Sequence, residues 1–155
     1  MVDPALILRA LNRAGVDYVV IGGVAATLHG CPEQTYDLDI IYEATSENRS
    51  KLLAALRDIE AEWDRPLSED LLQHQSVFAL NTKYGDLDIF TSVPGIDNFS
   101  AAASTATICH FAGEQVKVLD LQTLIISKET AADPNPRKQA ALAYLKAIQR
   151  KEQES

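Results

Sequence analysis

Apolar residues recur at helical spacing near the start of the chain, at Leu6, Leu8, Leu11 and Ala14, with Pro4 suited to a first turn and Gly15 to a stop. A helix over Pro4 to Ala14 is the expectation. Tyr18 to Ile21 is an unbroken aromatic and β-branched run, which predicts a buried strand cut off by Gly22-Gly23. Val24 to His29 then predicts a helix ended by Gly30. Asp37 to Tyr42, rich in isoleucine and partly alternating, predicts a second strand, and Ser46 an N-cap for a helix through Leu52, Leu53 and Leu56 to about Ile59. Trp63 to Pro66 reads as a loop and Ser68 to His74 as a short helix. Val77 to Asn81 and Asp86 to Val93 predict strands joined hairpin-fashion by Thr82-Lys83-Tyr84-Gly85. An alanine-rich helix over Ile96 to Ala103 precedes a second hairpin, Thr107 to Phe111 and Gln115 to Leu119 around Ala112-Gly113-Glu114. Asp120 is expected to cap a helix from Leu121 to about Thr130. After Pro134 and Pro136 a last helix, Arg137 to Lys151, points Ala140, Leu142, Leu145 and Ile148 inward. Helices and strands in mixed order, with hairpins, predict the α+β class: a mixed sheet with helices packed on it.

At 155 residues, 46% hydrophobic and 23% charged, the expectation is one domain over 1–155, its last part (about 120–151) helical. No stretch approaches the roughly 20 apolar residues that cross a bilayer. Met1 to Leu11 lacks the basic start and small-residue cleavage site of a secretory leader, so a cytoplasmic location is expected. Cys31 and Cys109 lack the spacing of a zinc site or a disulfide framework. The net charge of −8 argues against a broad basic face for nucleic acid. An acidic chain acts on phosphates where metal ions neutralise its carboxylates locally.

Two segments share one grammar, Asp37-Leu38-Asp39 and Asp86-Leu87-Asp88. Alternate side chains of a strand share a face, so each pair of aspartates lies side by side with its leucine turned away. If the two strands are neighbours, three or four carboxylates converge. Their repulsion requires a cation or a shared proton, and magnesium, bound through a few carboxylates plus substrate phosphates, suits such a cluster. Gly22-Gly23, between a buried strand and a helix, is compatible with a plain tight turn and with close approach of a phosphate to the backbone.

Taken together, Ile21-Gly22-Gly23-Val24-Ala25, His29-Gly30, Thr35-x-Asp37-x-Asp39 and Gly85-Asp86-Leu87-Asp88 resemble the nucleotidyltransferase superfamily, especially its small prokaryotic minimal and abortive-infection-type members. The likeness covers the first ninety residues well and extends less specifically to Leu124, Lys128 and the final helix. It implies that Asp37 and Asp39 are paired metal ligands, and that Asp88 is a third ligand near the incoming hydroxyl, with Asp86 as second choice. It further implies that Gly22, Gly23, Thr35 and Lys128 bind the nucleotide: the glycines contact the triphosphate of ATP or another NTP, Thr35 steadies the loop or a phosphate, and Lys128 reaches the phosphates. The implied reaction, with two Mg2+ ions, is attack of an acceptor hydroxyl on the α-phosphorus with loss of pyrophosphate. RNA, a protein or a small molecule is the acceptor, a toxin–antitoxin pair being one setting. A chain this short points to a partner protein or a second copy for the acceptor surface. Glu33 stands where such relatives carry a basic residue, and so the alternative is a catalytically weakened nucleotide-binding or regulatory module of the same fold. His29, His74 and His110 lack a second histidine at ligand spacing and read as packing or helix-end residues. The basic residues near the C-terminus, Lys138 among them, read as a solvated face.

Overall fold

The computed structural model describes residues 3–32 and 37–154. Six strands form one mixed sheet: β1 (Tyr18–Ile21), β2 (Asp37–Tyr42), β3 (Val77–Thr82), β4 (Gly85–Phe90), β5 (Thr107–Phe111) and β6 (Glu114–Val118). Their spatial order is β3-β4-β2-β1-β6-β5. β3 with β4 and β5 with β6 are antiparallel hairpins, β1 is antiparallel to β2, and two parallel pairings, β2 with β4 and β1 with β6, join the halves. Parallel neighbours need a crossover. For β2 and β4 it consists of α3 (Ser46–Asp58), α4 (Glu69–His74) and β3.

The remaining helices are α1 (Pro4–Ala14), α2 (Gly22–Leu28), α5 (Phe99–Ala103), α6 (Leu121–Ala131) and α7 (Pro136–Gln153). Helix α1 buries Ile7, Leu8 and Leu11 against α3 and β6. Gly15, with φ of 75°, ends it in the left-handed turn that glycine adopts without strain. Every residue of central β1 is buried, whereas β3 alternates: Phe78 and Leu80 face the core while Val77, Ala79 and Asn81 face out. Helix α6 packs on α2 and α7.

Asn48 ties this frame together from α3. It is 3% exposed, its Oδ1 accepts from the Asp17 backbone N–H at 2.7 Å, and its Nδ2 donates to the carbonyls of Asp17 (3.0 Å) and Glu43 (2.8 Å). One amide thereby clamps the entry of β1 to the exit of β2.

Several boundaries depart from the sequence expectations. Helix α2 starts at Gly22, because the chain turns directly from β1 into helix at the glycine pair. The cap of α3 is Thr45, whose Oγ1 accepts from Asn48 N at 3.2 Å, so Ser46 is the first helical residue. Strand β4 ends at Phe90 instead of Val93, and α5 is confined to Phe99–Ala103 because Asn98, its side chain accepting from Ala101 N, is the cap. Pro136 opens α7 rather than interrupting it, a position where its missing N–H is no loss. Ala140 is exposed; Ala141 and Leu145 fill the inward stripe instead.

Replacing Asn48 with alanine should lower stability by about 2 kcal/mol, since it takes a partner from the Asp17 N–H and from the Glu43 carbonyl, while the Asp17 carbonyl keeps its bond from the Glu43 N–H. Urea denaturation measures this; a loss under ~1 kcal/mol would show that the clamp is dispensable.

Candidate active site

Strands β2 and β4 run parallel with Asp37 opposite Asp86 and Asp39 opposite Asp88. Between the acids, Leu38 and Leu87 point to the other face and are wholly buried. The leucines fix the register by their burial, since a slip of one residue would put carboxylates into the core. Asp37 and Asp86 are exposed at the strand starts, and Asp39 and Asp88 lie deeper and half-buried.

Depth sets the electrostatics. Burial raises the Asp39 carboxyl to about 7, and the Asp88 carboxylate beside it, a hydrogen bond to Asp88 and the charge of Asp37 push the same way; only Lys138 opposes. Asp88 is also raised, chiefly by burial and then by Asp37, with Asp86 adding to it, while the hydrogen bond from Asp39 holds it back. Burial and mutual repulsion thus favour a proton on this pair. Among the described residues, no three His, Cys, Asp or Glu side chains converge as a metal cage in this arrangement.

Gly22 meets this pair from β1's side of the sheet, with φ of 68°. A Cβ there would fall on the Asp39 Oδ2 atom and lie 3.1 Å from its Cγ, so no side chain fits between the glycine turn and the carboxyl. Gly23 follows, buried in the first turn of α2. Thr35 and Glu33 lie outside the described residues. At the far end of α2, His29 Nε2 lies 2.7 Å from the Leu119 carbonyl, which joins α2 to the exit of β6. There Asp120 caps α6, accepting from Thr123 N at 3.2 Å and from Thr105 Oγ1 at 2.8 Å. Burial alone would raise the Asp120 carboxyl; these bonds outweigh it and hold it below the ordinary value.

Between α6 and α7 opens a cavity of about 480 Å³ whose wall includes Lys128 and Lys138. Lys128, singled out from the sequence, is a wall residue of this cavity, whereas the cation that acts on Asp39 is Lys138. Lys138 was read as a solvated residue, but its spacing carries a signal. It lies three positions before Ala141 and seven before Leu145, the buried positions of α7, and so sits beside that helix's inward stripe.

No family model matches the chain, and no curated protein matches it by sequence. Solved structures do match it. The lincosamide antibiotic adenylyltransferase LnuA, with lincomycin bound, aligns over 95% of this chain and 98% of its own at a TM-score of 0.66 and 18% identity. The chain has the nucleotidyltransferase fold. ANT(2")-Ia in complex with adenylyl-2"-tobramycin shares this nucleotidyltransferase fold at a TM-score of 0.59 and 16% identity, covering 96% of this chain and 95% of its own. An antigenic nucleotidyltransferase-like protein of Paracoccidioides brasiliensis does so at 0.59 and 17%, covering 94% and 73%. The α+β expectation and the resemblance to the superfamily are borne out at the level of the fold.

A proton favoured on this pair predicts a pH effect. Between the ordinary 3.8 and about 7, folded Asp39 retains a proton that the unfolded chain releases, so this group's contribution to stability falls as pH rises through that window. In EDTA, Asp39→Asn should therefore be more stable than wild type at pH 8 by about 2 kcal/mol, several degrees in Tm, and no more stable near pH 4. Thermal melts at the two pH values check this, and an equal shift at both would contradict it.

Proposed function

We propose that the chain is a magnesium-dependent nucleotidyltransferase that moves a nucleoside monophosphate from ATP or another NTP to an acceptor hydroxyl. The observation that carries this reading is the register of β2 on β4, which sets Asp39 against Asp88 and Asp37 against Asp86, next to a glycine turn with no side chain in the way.

The donor set fits the ion. An all-carboxylate cluster suits hard Mg2+ rather than a soft metal, and a proton favoured on two half-buried carboxyls marks a place where positive charge is wanted. Asp37, Asp39 and Asp88 would hold one or two ions, which when bound neutralise the phosphates and polarise the α-phosphoryl group.

The chain's own residues do the rest. Gly22 and Gly23 leave the backbone open to the triphosphate, with Thr35 assigned to the loop beside it. Asp88, facing Asp39 across the ladder, is the carboxylate proposed to take the acceptor's proton as its oxygen bonds to phosphorus. Lys128 supplies positive charge where a triphosphate gathers negative charge. The acceptor hydroxyl belongs to RNA, a protein or a small molecule; a partner toxin or antitoxin is the protein form of this reading. The lincomycin and tobramycin of the two antibiotic-bound relatives favour a small molecule.

Calorimetric titration of ATP with and without Mg2+ tests the proposal. Binding should require the metal and vanish in Asp37→Ala; metal-indifferent binding would instead mark a regulatory module. In an assay of pyrophosphate release, Asp39→Ala and Asp88→Ala should each lower kcat/KM by about 100-fold or more. Retention of a tenth of the activity by either variant would remove that residue from the chemistry.

A further inference from the structure

The α6–α7 cavity has a composition that bears on what it holds. Helix α6 buries Leu124 and Ile125, and Lys128 continues the same stripe one turn on. On α7, Lys138, Leu142 and Lys146 form a half-buried row beside the buried Ala141 and Leu145, about 12 Å of helix, and all three line the cavity. These three lysines line the cavity together with Ala131, Ala132 and Leu142. Two acids also line it, and one of them is paired with one of the lysines. Glu129 pairs with Lys146 at 3.3 Å, and Asp133 accepts from the backbone N–H of Asn135 at 2.9 Å, tied into its own loop. Lysines outnumber acids three to two here, in a chain of net charge −8.

One wall is apolar. Ala131, Ala132 and Leu142 offer a carbon surface that a bare phosphate chain has no use for, and the lining holds no aromatic ring on which a base could stack. The volume, about 480 Å³, lies within the range of small-molecule sites, roughly 300–1,000 Å³. Helix α6, one wall of the cavity, packs on α2, whose first residue Gly22 abuts Asp39, so the cavity and the carboxylates are set on neighbouring elements.

We propose that the α6–α7 cavity seats the acceptor, and that the acceptor is a small organic anion: a hydroxyl compound bearing a phosphate or carboxylate group, held by Lys138 and the neighbouring lysines over an apolar floor. The transfer step rests on the transferase reading above; the binding site does not. In that step the acceptor's hydroxyl oxygen bonds to the α-phosphorus and the bond from phosphorus to the bridging oxygen of pyrophosphate breaks. The electron pair leaves with pyrophosphate, and the hydroxyl proton passes to a carboxylate of the cluster. A polyamine such as an aminoglycoside is the wrong sign for this wall.

Calorimetry on the full chain at low salt, without nucleotide, tests the site with glucose 6-phosphate, glycerol 3-phosphate and gluconate as anionic probes, glucose as the neutral match and tobramycin as the cationic one. At least one anionic probe should bind about tenfold or more tighter than glucose and tobramycin, and weaken as salt is raised. Lys138→Gln should weaken it at least fivefold and Lys138→Arg should restore it, with MgATP affinity changed less than twofold. No binding by any anionic probe, or preference for tobramycin, overturns the proposal, as does an equal loss of MgATP affinity in Lys138→Gln, which would give the cavity to the triphosphate. The wild-type comparison and its salt dependence stand even if a variant fails to fold. Anion binding intact in a chain that does not bind MgATP would sink the transferase reading and leave this site standing.

Discussion

Like charges held in register across the β2–β4 ladder are the constraint around which this molecule is arranged. Asp37 and Asp39 facing Asp86 and Asp88 repel one another, and side by side in a sheet such pairs weaken the strands that carry them. What holds them there is the opposite face, where Leu38, Ile40, Leu87 and Ile89 are wholly buried. The hydrophobic core thus supplies the free energy that keeps an unfavourable cluster assembled. A proton on the Asp39–Asp88 pair relieves part of the repulsion.

Strands were the most readable part of the chain. Tyr18–Ile21 and Asp37–Tyr42 emerge with the bounds expected of them because β-branched runs are cut off there by glycine or polar residues. The repeated Asp-Leu-Asp segments are visible as motifs, and pleating alone puts each pair on one face; that the two strands are neighbours is a matter of topology, which no local pattern encodes. Caps were harder. Thr45 and Ser46 are adjacent and chemically alike, and what selects Thr45 is that its side chain meets the N–H of Asn48, itself fixed by Asp17 and Glu43. Ala140 was misplaced because alanine fits either side of a helix; the inward phase of α7 is set by Ala141 and Leu145. Lys138 is half-buried for a related reason: its charge suggests solvent, while its spacing from those residues sets it beside the packed side.

Solved structures with this fold include proteins bound to lincomycin and to an adenylylated tobramycin, two ligands of different chemistry. The fold is what they share with this chain. Function follows the site and not the fold.

The crossover between β2 and β4 has a temporal meaning. Half of the acid cluster lies before α3, α4 and β3 and half after, so no shorter stretch of chain carries both halves. During synthesis Asp37 and Asp39 leave the ribosome well ahead of Asp88 and wait as ordinary solvated carboxylates, because a parallel pairing closes only when its long connection has ordered. Whatever affinity the cluster has for cations therefore arises late and all at once, as a property of the finished sheet that a nascent or cleaved chain does not possess.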